Sequence, residues 1–301
     1  MSVLPLTASR EASTRNVREP FLTASELLER LEKPATEHPL RIDARGVRQY
    51  RDGHLPQAIN VPARELNPVE NGVRRLATLD EVGRNVGSAG EREVVIYGGR
   101  GGADAAHLWW TLRAVGFECV RLLDGGLEAW LAEGGSLAGE GEAFARAETL
   151  TAALKTDVRS NLAEENREQV WPQDSLVAID ELLRRLGDRS VAIVDTRESE
   201  EFSGELRAAE RGGHIPGAIL FPWTSALDTE LRLRPESELR ELLAPVLEKP
   251  EAIIYCQSGV RAAHTLAVLE MLRHPRPRLY LGSWGEWGNR QDTPLEVEAG
   301  S

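Results

Sequence analysis

Ala252-Ile253-Ile254-Tyr255-Cys256-Gln257-Ser258-Gly259-Val260-Arg261 joins a short apolar run to a polar turn. Ala252 to Tyr255 have the length and composition of a buried strand. From Ala262 to Leu272 apolar residues recur at helical spacing. Cys256 therefore sits on a tight turn that leaves a strand and enters a helix. Backbone N–H groups in such a turn converge on one point, and the helix N-terminus adds partial positive charge there. Gly259 supplies the backbone freedom the turn needs, and Arg261 adds a full positive charge. A thiol in that field is drawn towards the thiolate, its nucleophilic form. The same groups cradle an anion attached to the sulfur, so the site suits a cysteine carrying a second, negatively charged sulfur atom. The plainer alternative is a buried cysteine that packs as a small hydrophobe; Gly259 and Arg261 in one turn argue for the reactive one.

The order of elements around this stretch occurs twice. Residues 20–33 form an amphipathic helix with Thr23 and Glu26 at capping-box spacing, followed by a strand, Pro39 to Asp43. Ser175 to Leu186 and Val191 to Asp195 give the same order. Asp43-Ala44-Arg45 pairs with Asp195-Thr196-Arg197, and Gly53 to Ile59 with Gly213 to Ile219. Val94 to Tyr97 pairs with Ala252 to Tyr255, and Asp124 to Trp130 with Leu281 to Trp287. This is a duplicated domain. Strands alternating with helices predict an α/β protein in which each half is a parallel sheet with helices on both faces. The halves divide as 18–137 and 173–301, with the polar, Glu- and Ala-rich residues 138–172 as a linker. They differ at the turn: Gly98 stands where the second half has Cys256, and Ala103 where it has Arg261. The first half keeps the architecture without the nucleophile.

The chain has 301 residues, enough for two cores. It is 41% hydrophobic and 28% charged, the balance of a globular protein. A net charge of −12 argues against nucleic acid and anionic membranes as partners. No apolar run is long enough to span a bilayer. Met1 to Arg18 lacks the apolar core of a signal peptide and reads as a disordered leader. Two cysteines, Cys119 and Cys256, make no disulfide framework, and a reducing cytoplasm fits. Cys119 lies in a strand-like run, Phe117 to Leu123, and reads as buried and inert.

The tandem halves, the Gly213-His214-Ile215-Pro216-Gly217-Ala218 element, the loop from Cys256 to Arg261 and the Gly282-Ser283-Trp284-Gly285-Glu286-Trp287 ending resemble the tandem-domain rhodanese sulfurtransferases. The resemblance covers nearly all of residues 20–292. It implies two rhodanese-like domains and a ping-pong transfer. The Cys256 thiolate takes a sulfane sulfur from thiosulfate, with 3-mercaptopyruvate as the alternative donor, and passes it to cyanide or a thiol. A sulfur-accepting protein is a further candidate partner. No metal or organic cofactor is implied.

The resemblance also suggests roles for other residues. Mercaptopyruvate enzymes resemble this loop in having a serine at the position of Ser258, paired with an aspartate and a histidine at the positions of Asp43 and His54. Such a relay can move a proton as the enolate leaves. Asp195 and His214 repeat that pair in the second half, which argues that both pairs hold the fold. Glu201 stands where animal relatives carry a substrate-binding arginine. It either faces the pocket, where its charge penalises a dianionic donor more than a monoanion, or pairs with Arg197. Arg207 and Arg211 are candidate substitute cations for the donor. Trp284 is a candidate wall of the pocket mouth, against ordinary core packing. Trp109 and Trp110 are expected between layers or domains. Gly98 to Gly102 lacks the Lys-Ser/Thr ending of a phosphate loop.

Two other readings rival a sulfurtransferase. Cysteine-dependent phosphatases and arsenate reductases share the Cys, amide cradle and Arg plan, but hold five residues between Cys and Arg. Here four, Gln257 to Val260, separate them, which narrows the cradle to a single sulfur. A sulfur-relay binding module is the second; an intact Cys256 and Arg261 are more than a scaffold needs.

Overall fold

A computed structural model describes residues 20–66, 68–70, 73–74, 93–114, 117, 119–139 and 175–297. The leader expected over Met1 to Arg18 and nearly all of the linker fall outside them.

In the first half, strands β1 (Phe21–Leu22), β2 (Leu40–Asp43) and β3 (Ile59–Asn60) precede a small antiparallel pair, β4 (Val69–Glu70) and β5 (Val73–Arg74). β6 (Val94–Tyr97) and β7 (Val120–Leu123) complete a five-stranded parallel sheet in the order β1-β7-β6-β2-β3. The second half builds β8 (Val191–Asp195), β9 (Ile219–Leu220), β10 (Glu251–Tyr255) and β11 (Pro277–Leu279) into a parallel sheet ordered β11-β10-β8-β9. Leu176 bridges to Leu279 where β1 lies beside β7 in the first half. The expected helix over 20–33 is shorter, Ala24–Leu31, because Phe21 and Leu22 join the sheet; the Thr23–Glu26 capping box is present.

Alternation along the central strands sends successive side chains to opposite layers. Val94, Ile96, Ala252 and Ile254 belong to one cluster of buried residues. Val95 and Tyr97 belong to a second cluster, and Ile253 and Tyr255 to a third. The first cluster is shared by both halves. It holds helices Ala103–Ala114 and Val260–Met271, which pack against each other and are apolar on nearly every side, as suits enclosed helices. Trp109 and Trp110 belong to it. Truncating a side chain such as Ile254 to Ala there costs about 2–5 kcal/mol.

Polar contacts fasten the rim of this interface. Arg232 pairs with Glu133 at 3.0 Å, Arg113 pairs with Glu270, and the Leu233 N–H donates to Asp124 Oδ1 at 2.9 Å. Gly101 abuts the second half so closely that a Cβ there would lie 2.4 Å from Leu227 Cδ1, and its φ of +82° already favours glycine. The first-half loop that lost its cysteine is thus seated against the second half. Cys119, expected to be buried, sits just before β7 and is only half-buried.

Candidate active site

β10 ends at Tyr255, and the chain turns through Cys256 to Gly259 into the twelve-residue helix Val260–Met271. Three features hold the turn. Gly259 takes φ +82°, and a Cβ there would lie 2.5 Å from Leu281 Cδ1, so glycine is required by both conformation and space. The Cys256 N–H donates to Ser283 Oγ at 3.2 Å. The Cys256 and Gln257 carbonyls accept from the Trp284 and Gly285 N–H groups, both at 2.9 Å. The element Gly282 to Trp287 is therefore the back wall of the cysteine loop. Cys256 itself is 1% exposed.

Arg261, in the first turn of the helix, forks onto Glu201: Nη1 lies 2.6 Å from Oε2 and Nη2 2.9 Å from Oε1. Burial opposes the Arg261 charge, but the Glu201 hydrogen bonds and the nearby Cys256 outweigh it and raise the guanidinium above its usual range. Burial likewise pushes the Glu201 carboxyl up, and Arg261 more than reverses that. Arg197 is held elsewhere, by Asp195 at 2.6 Å and the Gly213 carbonyl at 2.7 Å. Of the two placements expected for Glu201, neither is found: it neither faces the pocket nor pairs with Arg197.

Between the halves opens a cleft of about 810 Å³. Gln257, Ser258, Val260 and Arg261 line one side of it. Arg45, Gln49, Arg64, Gly99, Arg100 and Ala103 of the first half line the other, with Glu65, Asp104 and Glu128, and Trp223 of the second half completes the lining. The Cys256 loop faces its first-half counterpart, and Arg100 stands at the position equivalent to Ser258. The Gln257 amide donates to the Ala208 carbonyl at 3.0 Å, tying the loop to the segment after Ser199–Ser203.

A rhodanese-like domain matches at residues 23–133 and again at residues 178–290. The chain belongs to the rhodanese family. A thiosulfate sulfurtransferase of Azotobacter vinelandii is 33% identical, over 85% of this chain and 90% of the relative. A probable 3-mercaptopyruvate sulfurtransferase of Pseudomonas aeruginosa is 32% identical, over 89% of this chain and 94% of the relative. The anaerobic ergothioneine biosynthesis enzyme of Chlorobium limicola superposes with a TM-score of 0.74 at 20% identity, covering 93% of this chain and 71% of that one, a likeness of fold.

Several residues expected at the rhodanese site lie away from it. His54 does not reach Ser258. Its ring is fully buried, its Nδ1 is bonded to the Tyr50 carbonyl at 2.9 Å, and its Nε2 has no partner. It stacks on Tyr50 at 3.9 Å as His214 stacks on Phe202 at 3.6 Å. Asp43 is sealed by Arg45 as Asp195 is by Arg197. The relay of Asp43, His54 and Ser258 is not assembled; the first two repeat a fold-holding device present in both halves. Arg211 clamps the chain end through the Trp287, Gly288 and Thr293 carbonyls and does not line the cleft. Arg207 is exposed outside it. Trp284 is fully buried beneath Arg197, 4.5 Å from its ring, with its N–H on the Arg211 carbonyl; it is core, and Trp223 walls the cleft instead. Arg45, Arg64 and Arg100 were missed as cleft residues. Aligning the two loops would have flagged Arg100, since it replaces Ser258; nothing local marks Trp223.

Proposed function

We propose that this sulfurtransferase takes the sulfane sulfur of thiosulfate onto Cys256 and hands it to cyanide or a thiol, a thiosulfate:cyanide sulfurtransferase type of reaction. The Cys256 thiolate attacks the outer sulfur of thiosulfate. The sulfur–sulfur bond of the donor breaks, sulfite leaves with the electron pair, and Cys256 becomes a persulfide. A nucleophilic acceptor then attacks the terminal sulfur, the persulfide bond breaks, and the thiolate is restored. With cyanide the product is thiocyanate; with a thiol it is a hydropersulfide. The loop N–H groups and the helix N-terminus hold the terminal sulfur as negative charge moves onto it.

The observation that carries this reading is the placement of Cys256 at the end of β10, before the N-terminus of a long helix, in a loop that faces the arginine-bearing wall of the first half. Arg100 on that wall suits an anionic donor, whereas Arg45 and Arg64 there are paired with Asp43 and Asp104. Thiosulfate is placed ahead of 3-mercaptopyruvate on two grounds. Glu201 is spent on Arg261, which removes its objection to a dianion. His54 does not reach Ser258, which removes the proton relay. Ser258 in the cleft favours the alternative donor, 3-mercaptopyruvate. Initial rates with the two donors, side by side, decide between them. Mercaptopyruvate turnover well above thiosulfate turnover, lost selectively in Ser258→Ala, would reverse the order. The acceptor thiol is a small molecule or a partner protein. Two cysteines outside any disulfide suit a reducing cytoplasm.

A further inference from the structure

The duplication supplies an internal control for one contact. Glu201 and Gln49 occupy the same place in the two halves, six residues after Asp195 and Asp43. Both do the same local work. Gln49 Oε1 accepts from the Gly46 N–H at 3.3 Å, and Glu201 Oε2 accepts from the Glu198 N–H at 3.2 Å. A neutral amide therefore suffices for the helix cap. Arg261 likewise corresponds to Ala103, and helix Ala103–Ala114 forms and packs without an arginine there. Gln49 and Ala103 both line the cleft, so the neutral pair occupies the facing position of the same cleft.

What Glu201 adds over Gln49 is the two-pronged contact with Arg261, and only the half with Cys256 has it. Stability does not explain such a pair. Taking charge out of water is costly, and a neutral pair of similar size is often as stable or more so. Glu201 is 5% exposed. The fold without the pair exists in the first half of the same molecule.

We propose that Glu201 is a positioning residue for sulfur transfer: it fixes the fork of Arg261 beside the Cys256 loop. The inference rests on the sulfurtransferase reading. With both terminal nitrogens bound to Glu201, Arg261 acts on Cys256 as a fixed charge and does not swing into the cleft to chelate the donor. A guanidinium held this way keeps its orientation when the persulfide forms, so nothing has to reorganise during transfer. Glu201 acts through Arg261 and does not touch substrate.

Three variants test this: Glu201→Gln, Arg261→Ala and the double variant, which installs the first half's own pair. Thermal midpoint, persulfide formation by mass after mixing with thiosulfate, and the pH profile of Cys256 alkylation are read for each. Arg261→Ala strands a buried carboxylate, so both midpoint and persulfide rate fall. In the double variant the midpoint returns close to that of the parent, while the persulfide rate stays down by about tenfold or more. Glu201→Gln alone slows persulfide formation and displaces the alkylation profile, and both effects vanish once Arg261 is Ala. A double variant with parental persulfide rate would make the pair purely structural and overturn the inference. So would a Glu201→Gln effect that persists without Arg261, or a double variant that stays as unstable as Arg261→Ala. A parent that forms no persulfide with thiosulfate refutes thiosulfate as the donor; the alkylation profiles, which need no donor, still report whether Glu201 acts through Arg261.

Discussion

Ser283 accepts the Cys256 N–H at 3.2 Å while holding a left-handed backbone of φ 54° and donating its own hydroxyl to the Tyr280 carbonyl at 2.9 Å. Its counterpart, Gly126, has φ 57° and no side chain. In the half with Cys256, a residue that tolerates this conformation poorly replaces one that tolerates it well. The hydroxyl is what the strain secures. Ser283→Ala keeps the strain and loses the bonds, and should destabilise by about 1–3 kcal/mol. Ser283→Gly loses the bonds but relieves the backbone, and should cost less. Urea unfolding orders the two; Ala the more stable would refute this account.

Cys256→Ser should abolish turnover, and incubation of the parent with thiosulfate should add one sulfur mass that cyanide removes. Cys119→Ser should keep nearly parental rates, because Cys119 lies just before β7 and not on a strand-to-helix turn like that of Cys256. An inactive Cys119→Ser enzyme with a working Cys256→Ser enzyme would reverse the assignment of the nucleophile.

Gly98→Cys tests whether a cysteine alone makes a rhodanese site. A Cβ at Gly98 would lie 3.4 Å from Ala105 Cβ, ordinary contact, so the variant should fold. Its loop still has Ala103 and Gln49 in place of an arginine and its carboxylate. In a Cys256→Ser background it should show no turnover above that of Cys256→Ser itself. Near-parental activity from that double variant would mean that the architecture suffices.

His264 should make acid costly. It lies in the interface helix, against the Phe21 ring at 5.9 Å and the Trp223 ring at 5.2 Å. Burial pushes its pKa down to about 4. The unfolded chain takes up a proton near pH 6.5 that the folded chain refuses, so stability falls as pH drops from about 6.5 to about 4 and levels below. Each pH unit in that window is worth about 1.4 kcal/mol. His274, lowered by burial, adds to the same window. Glu201 adds only below about pH 4.5, since its pKa is lowered. Thermal midpoints from pH 4 to 7 for the parent and His264→Gln isolate the His264 share as the difference between curves. Parallel curves would show that His264 carries no such load.

Much of this rhodanese was legible from local pattern. Hydrophobic runs and turns marked β2, β6, β8 and β10, because a strand buried on both faces writes its burial into consecutive residues. The repeat exposed the duplication, and comparison of the two copies placed the missing nucleophile at Gly98. Cys256, Gly259 and Arg261 could be read together because a strand, a turn and a helix fix their mutual placement within a few residues.

Tertiary structure decided what lies far apart in sequence. Glu201 meets Arg261 across 60 residues. Arg100 and Ser258 share one cleft only because two separate sheets present their loops to each other. Arg211 and Trp284 carry residue types that suit a substrate pocket, yet the chain end and Arg197 bury them in structural work. Sequence fixes which chemical groups are available and how neighbours along the chain are disposed. Which distant group neutralises a given charge depends on packing between layers, where burial makes an unpaired charge too costly to leave and each partner is settled by the whole fold.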